Sequence, residues 1–159
     1  MREVEVVGVR VEMPTNQPLV LLRELDGGRY LPIWIGAVEA SAIAYAQQGT
    51  VTARPLTHEL MQHVIEALGD ELNEVQIIDV RDGIFYASLI FASGATVEAR
   101  PSDSIALALR SGSRILCAED VLDEAGIVAT TDEDEEIEKF REFLDEISPE
   151  DFEKPPPED

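Results

Sequence analysis

The sequence has few features of a secreted, membrane-spanning or disulfide-bonded protein. Its 159 residues include one cysteine, Cys117, so no disulfide can form within the chain. The apolar neighbours of Cys117 favour a buried, unreactive thiol. No apolar run approaches the roughly 18 to 20 residues needed to span a bilayer, and the first residues alternate and carry acidic side chains, unlike a secretory signal. These absences predict a cytoplasmic protein that does not enter a membrane.

Positive charge is scarce. Residues 1–130 contain no lysine and 9 arginines against 19 acidic residues, a net charge of −10. Residues 131–159 contain 3 basic against 14 acidic residues, a net charge of −11. Nucleic-acid-binding proteins usually carry clustered lysine and arginine, and this chain has no such cluster. Recognition of a phosphate would therefore need a divalent cation or a few well-placed arginines.

Several common catalytic signatures are also missing. The sequence has no glycine-rich phosphate loop, no Gly-x-Ser-x-Gly motif and no Cys-x-x-Cys pair. The stretch THELMQH superficially matches a zinc-binding helix, but His58 and His63 are five residues apart. Two zinc ligands on one helix face need a spacing of four, whereas a spacing of five turns them about 140° apart. A zinc peptidase is therefore excluded.

What the sequence does contain is an alternation of strands and helices that occurs twice. Hydrophobic periodicity predicts strands over 3–13, 19–25 and 29–35 before a helix over 37–48, and strands over 73–80, 84–92 and 95–100 before a helix from about 103 to 111. A short strand over 113–118 and a short helix over 119–126 follow. This duplicated strand-strand-strand-helix unit predicts an α+β fold with a mixed or antiparallel sheet and helices packed against it.

An additional helix over 57–69 is predicted between the two units. Its apolar stripe comprises Leu60, Met61, Val64, Ile65 and Leu68. Its polar residues Glu59, Gln62, His63 and Glu66 are interpreted as a solvated outer face.

The chain is predicted to divide into a domain of residues 1–130, an acidic amphipathic helix within 131–152 and a disordered end over 153–159. In the acidic helix, Ile137, Phe140 and Ile147 recur at helical spacing, so we expect it to dock on an apolar surface.

Two junctions share the tripeptide Ala-Arg-Pro, at 53–55 and 99–101. Thr57 and Ser102 are interpreted as N-caps of the helices that follow. The start of a helix attracts anions, and Arg54 and Arg100 offer planar donors to a phosphate or to a neighbouring carboxylate. The sequence alone leaves both partners open.

Acidic residues occupy the first turn of two predicted helices. Glu39 and Asp103 there either stabilise the helix dipole or converge as a site for Mg²⁺ or Mn²⁺. His58 also lies at a helix start, where the dipole disfavours its cation. A neutral imidazole can ligate a metal or accept a proton, or it can simply bond to the backbone.

Three blocks of the chain resemble a known family. They are RYLPIWIGAVEASAIA (29–44), ARPLTHEL (53–60) and ARPSDSIALALR (99–110), and they look like the signature segments of the bifunctional nuclease domain family. The likeness extends from about residue 3 to 152. It implies a compact α+β domain, often a homo-oligomer, and an activity that degrades both DNA and RNA. The family includes bacterial members.

This resemblance directs attention to particular residues. His58, Glu59 and Asp103 are candidate catalytic residues, while Glu39 and Asp103 are candidate ligands of Mg²⁺ or Mn²⁺. Arg54, Arg100 and Ser102 are candidate substrate-binding residues. The resulting hypothesis is metal-assisted phosphodiester hydrolysis of nucleic acid. The alternative is a regulatory module that binds an anion or a partner protein through the same arginines without catalysis.

Overall fold

In the computed structural model, the described part of the chain, residues 1–128, contains a single mixed sheet with helices packed on it. The strands are β1 (Arg2–Glu12), β2 (Gln17–Glu24), β3 (Arg29–Trp34), β4 (Leu72–Arg81), β5 (Ile84–Phe91), β6 (Thr96–Ala99), β7 (Arg114–Cys117) and β8 (Ile127–Val128). The helices are α1 (Ala37–Gln48), α2 (Thr57–Ala67), α3 (Pro101–Ser111) and α4 (Glu119–Ala125). The acidic helix predicted within 131–152 and the end over 153–159 lie outside the described residues.

The sheet confirms the predicted duplication. Its strand order is β6-β5-β4-β7-β1-β2-β3-β8, and the pairing of β4 with β7 is parallel while the other pairings are antiparallel. Each half is a three-stranded meander followed by a helix, α1 after β3 and α3 after β6. Strand β7 joins the halves through their first strands. Equivalent strand-to-helix junctions therefore belong to one continuous sheet.

Helix α3 is the central helix of the core. Its buried residues are Pro101, Ser102, Ser104, Ile105, Ala106, Leu107 and Ala108. The alanines allow close packing of neighbouring elements, among them α1, which contributes the fully buried Ile43. Cys117 is also fully buried, which confirms its predicted burial, and burial raises the pKa of its thiol to about 12. Because α3 packs against neighbouring elements on several sides, the position of its first turn is fixed.

Both predicted N-caps are wrong. Helix α2 begins at Thr57 with Leu56 as its N-cap, and α3 begins at Pro101 with Arg100 as its N-cap. Neither helix has a side-chain capping hydrogen bond. Proline is favoured at the first helical position because its missing N–H has no partner there, so α3 starts at Pro101 and the predicted cap, Ser102, lies within the first turn.

Helix α2 is oriented differently from the prediction. Its partly buried side chains are those of His58, Glu59, Gln62 and Ile65, and none of its residues is fully buried. The other members of the predicted apolar stripe, Leu60, Met61, Val64 and Leu68, are exposed. The interpretation of Glu59 and Gln62 as solvated is therefore wrong. Polar contacts to α3, described below, turn this face of the helix inward.

A buried carboxylate that the sequence did not reveal connects the sheet to α4. Glu24 is only 3% exposed, and its Oε2 accepts a hydrogen bond of 2.7 Å from Arg29 Nη2. Arg29 also pairs with Glu119 and Asp123 at 2.9 and 2.7 Å. A carboxylate in this position requires its cationic partner, because an unpaired buried charge is strongly destabilising. Glu24 ends β2 and Arg29 begins β3, so the pair flanks the hairpin turn between these strands.

We expect Gly27→Ala to destabilise the protein by about 1–3 kcal/mol through this pair. A Cβ at Gly27 would overlap Glu24 Oε1, so the carboxylate would have to move away from Arg29. Urea unfolding measures the difference. Gly8→Ala is the matched control, since a Cβ there meets no atom within 4 Å. Equal stability of the two variants would contradict the stabilising role given to the Glu24–Arg29 pair.

Candidate functional site

The starts of α1 and α3 are joined by one arginine. Arg100 Nε donates to Asp103 Oδ2 at 3.0 Å, and Arg100 Nη2 donates to Glu39 Oε1 at 2.8 Å. Arg100 has extended backbone as the N-cap of α3, so its side chain leaves the helix start close to the third helical residue, Asp103. The two acidic residues predicted to converge therefore do so through a shared cation.

His58 reaches the same carboxylate from α2. Its Nε2 lies 2.9 Å from Asp103 Oδ1, and the imidazole is mostly buried. Asp103 thus has one oxygen directed to a histidine and the other to an arginine. If the imidazole is neutral and donates from Nε2, Nδ1 keeps a lone pair, and Nδ1 has no hydrogen-bond partner among residues 1–128.

The ionised form of Asp103 is favoured by these contacts. Partial burial raises the pKa of the carboxyl, but the hydrogen bonds and charges of His58 and Arg100 outweigh burial, and the pKa lies below its usual value. The dipole of α3 favours a negative charge at the same position. Asp103 is therefore an anion that orients two cationic or proton-donating groups.

Glu39 is positioned by the glycine that precedes α1. The carboxylate bends back over the helix start, so a Cβ on Gly36 would clash with Glu39 Oε2. Glu39 is mostly buried, whereas its partner Arg100 is 65% exposed. The guanidinium therefore lies at the surface with the carboxylates beneath it.

The other predicted site residues have different surroundings. Glu59 does not contact Asp103 and instead forms an ion pair of 3.3 Å with Arg110. Arg54 is exposed, its carbonyl accepts a hydrogen bond from Thr52, and its side chain has no partner among residues 1–128. Ser102 is buried beside Arg100 in the first turn of α3. The arrangement thus brings together His58, Asp103, Arg100 and Glu39.

These residues do not fit a metal ion as they are arranged. Within the described part of the chain, no group of three or more histidine, cysteine or carboxylate side chains has the geometry of a metal site. Both oxygens of Asp103 face hydrogen-bond donors, and Glu39 binds the same arginine. Oxygen ligands of Mg²⁺ must present free lone pairs to the ion, so Arg100 would have to leave first.

An open hollow of about 440 Å³ adjoins this cluster. It lies where the end of β3, the β4–β5 turn and the start of α3 meet, and Arg100 forms part of its wall. Trp34 and Ile84 also line it, although neither belongs to a polar motif of the sequence. Trp34 belongs to the block 29–44 that resembles the family, and the sequence signal shared by the two residues is that each is a large apolar residue at the end of a strand. A second hollow, of about 330 Å³, is lined by Glu66, Asp70 and Glu71 among others and contains none of the predicted site residues.

Comparison with known proteins shows that the cluster lies in a domain shared with a protein family. Residues 20–130 match the bifunctional nuclease domain. The chain belongs to the bifunctional nuclease domain family. Of the residues in the cluster, His58, Asp103, Arg100 and Glu39 all lie within the matched range, as does the hollow apart from Gln17.

Two relatives of this family member come from one bacterial species. The chain is 55% identical over 161 residues to "Uncharacterized protein MT1877" of Mycobacterium tuberculosis (strain CDC 1551 / Oshkosh), a match that covers 96% of this chain and 98% of the relative. The same values apply to "Uncharacterized protein Rv1829" of Mycobacterium tuberculosis (strain ATCC 25618 / H37Rv). The similarity therefore extends over nearly the whole chain. Separately, none of the helices in residues 1–128 has the length and apolar character needed to cross a membrane.

The pKa of Asp103 provides a direct test of the cluster. We expect Arg100→Gln to raise it, because the variant removes a hydrogen bond and a charge that oppose burial. An NMR titration of the carboxyl carbon measures the change. In the wild type, the stability that Asp103 contributes is complete above its unfolded pKa of about 3.9 and is lost as the pH falls through the lower folded value.

The control for this titration is Arg54→Gln, since the Arg54 side chain has no contact with Asp103. Arg54→Gln removes the same charge from an exposed residue outside the cluster. A similar pKa change in both variants would mean that general charge, and not the Arg100 contact, holds Asp103 ionised.

Proposed function

We propose that this protein is a nuclease that hydrolyses phosphodiester bonds of DNA or RNA at the cluster of His58, Asp103 and Arg100. The observation that carries the proposal is the hydrogen-bonded series from His58 through Asp103 to Arg100, beside an open hollow, in a member of the bifunctional nuclease domain family. A base, a group that orients it and a cationic phosphate ligand are the parts that such chemistry requires.

His58 is the proposed general base. Asp103 orients the imidazole through Nε2, which leaves the lone pair of Nδ1 to take a proton from water. The resulting hydroxide oxygen bonds to phosphorus, and the bond from phosphorus to the leaving oxygen breaks. The leaving oxygen then takes a proton from solvent or from His58. Asp103 stabilises the imidazolium that forms in the first step.

Arg100 is the proposed phosphate ligand. Its guanidinium is 65% exposed, and Nη1 donates no hydrogen bond to residues 1–128. A planar guanidinium keeps its charge and can bind a phosphate oxygen through this free edge. Glu39 and Asp103 hold the other edge and fix the direction of the group.

The local charge limits how this site can hold a phosphate. With a neutral imidazole, Arg100, Asp103 and Glu39 carry a combined charge of −1, which repels a polyanion. We therefore propose that Mg²⁺ or Mn²⁺ assists at Glu39 and Asp103 once Arg100 has moved off both carboxylates. We also propose that the protein is cytoplasmic.

The alternative function is an anion- or partner-binding module without catalysis. It is favoured by one observation, namely that Arg100 already has two carboxylate partners, as a structural arginine does. The two functions differ in turnover, so a cleavage assay separates them.

We expect purified protein to cleave single-stranded DNA or RNA, and His58→Ala to reduce the rate by about 10²–10⁴-fold, the usual contribution of a general base. Asp103→Asn should give a comparable loss because it removes the orienting charge. Product formation from a labelled oligonucleotide, with Mg²⁺, with Mn²⁺ and with EDTA, measures the rate and shows whether a metal assists.

His63→Ala is the matched control, because His63 is an exposed histidine on the same helix. It should cleave at the wild-type rate. Activity that persists in the His58→Ala, Asp103→Asn double variant would indicate a contaminating nuclease. Absence of turnover under all metal conditions would reject the nuclease in favour of the binding module.

We further propose that the protein is a homo-oligomer and that α2 provides a contact surface. Large exposed apolar residues lie on or beside this helix, namely Val51, Leu56, Leu60, Met61, Val64 and Leu68. Monomeric proteins rarely expose a contiguous apolar patch larger than a few hundred Å². In a twofold dimer the same patch of both copies meets, so a self-complementary apolar face suffices.

Replacing Leu60 and Val64 together with serine should therefore shift the protein towards monomers while leaving its fold intact, since both side chains are exposed. Size-exclusion chromatography with light scattering measures the mass. Val38→Ser, on the exposed side of α1, should leave the mass unchanged. A wild type that is monomeric at tens of micromolar would refute the proposal.

A further inference from the structure

The 440 Å³ hollow next to Arg100 is lined in part by large apolar side chains, so it could bind a flat apolar group. Its volume lies within the usual range for small-molecule sites, about 300–1,000 Å³. Trp34 is 51% exposed and Ile84 is 60% exposed, although both are large apolar side chains. They come from different halves of the duplicated fold, one from the end of β3 and one from the start of β5.

A polar group is also available at the wall of this hollow. Ser102 is only 6% exposed, and its hydroxyl has no hydrogen-bond partner among residues 1–128. Ser104, two positions further along α3, is fully buried and donates to the carbonyl of Arg100 at 2.9 Å. The Ser102 hydroxyl therefore keeps its capacity to donate and to accept a hydrogen bond, and it can bond to a ligand that enters the hollow.

Arg100 connects the hollow with the proposed catalytic cluster. Its side chain lines the hollow and also contacts Asp103, which binds His58. A ligand with a flat apolar part in the hollow and an anionic part at Arg100 would therefore reach both. A nucleotide has this combination, because its base offers a stacking face and its phosphate is the anion.

We propose that this hollow binds one unstacked base of a single-stranded nucleic acid, with the base against Trp34 and Ile84 and its phosphate at Arg100. The proposal rests on the nuclease function above and adds a preference for single strands. Aromatic side chains stack on bases of single strands regardless of sequence, whereas the bases of a duplex are already stacked and paired. Ser102 would bond to the polar edge of the base or to its phosphate.

The single tryptophan of the chain makes the test specific. Because Trp34 is the only tryptophan, quenching of the intrinsic tryptophan fluorescence reports on this hollow alone. A ten-residue oligothymidylate, titrated into the full-length His58→Ala variant in EDTA so that both His58-dependent and metal-assisted cleavage are suppressed, should quench the signal. A DNA hairpin of equal charge should need at least a tenfold higher concentration for the same quenching.

The contribution of each lining residue to binding is then measured with variants. The fluorescence anisotropy of a labelled oligothymidylate gives the affinity of each variant. We expect Trp34→Ala and Ile84→Ala each to weaken binding about tenfold, and Ser102→Ala to weaken it less. Val38→Ala, an exposed residue outside the hollow, should have no effect. Circular dichroism verifies that each variant is folded, and Ile84→Ala retains the fluorophore if Trp34→Ala is not folded.

The outcomes separate this inference from the proposed function. Binding of the oligonucleotide without a change in Trp34 fluorescence, or unchanged affinity in both hollow variants, would overturn the base site while His58-dependent cleavage still stands. No binding at millimolar oligonucleotide would also overturn it. Quenching by the single strand without cleavage in any metal would support the base site and reject the nuclease.

Discussion

The carboxylate of Asp103 is the interaction on which the arrangement of the candidate site depends. One of its oxygens faces His58 of α2, and the other accepts from Arg100 at the start of α3. Since Arg100 also binds Glu39 of α1, one anion and one cation connect three helices. Neither partner could be held in this way without the buried body of α3, which fixes the first turn where Asp103 lies.

The orientation of α2 follows from the same contacts. A helix at the surface of a domain is expected to turn its apolar stripe towards the core, because burial of apolar surface stabilises most helices more than their polar contacts do. Here the polar side, with His58 and Glu59, faces α3 through Asp103 and Arg110, and the stripe with Leu60 and Val64 is exposed. This inversion leaves an apolar surface on the outside of the same helix that supplies the proposed base.

The hollow beside Arg100 is a consequence of the duplicated topology. The junction from β3 to α1 belongs to the first unit and the junction from β6 to α3 to the second, and both contribute to its walls. Trp34 precedes the first junction, and Ser102 follows the second. Repetition of a strand-to-helix junction within one sheet thus places an aromatic side chain, a guanidinium and a hydroxyl around one space.

The sequence by itself determined the elements other than β8, because hydrophobic period and turn residues are local signals. Helix α1 was predicted with its observed bounds, and the paired units and mixed sheet were correct. It also indicated Glu39, His58, Arg100 and Asp103 as the residues to examine for chemistry. Only the tertiary structure decided which of them meet, that Glu59 pairs with Arg110, and that Trp34 borders the site. These outcomes depend on how distant segments pack and on which polar groups compete for the same partner, and neither is encoded in a local pattern.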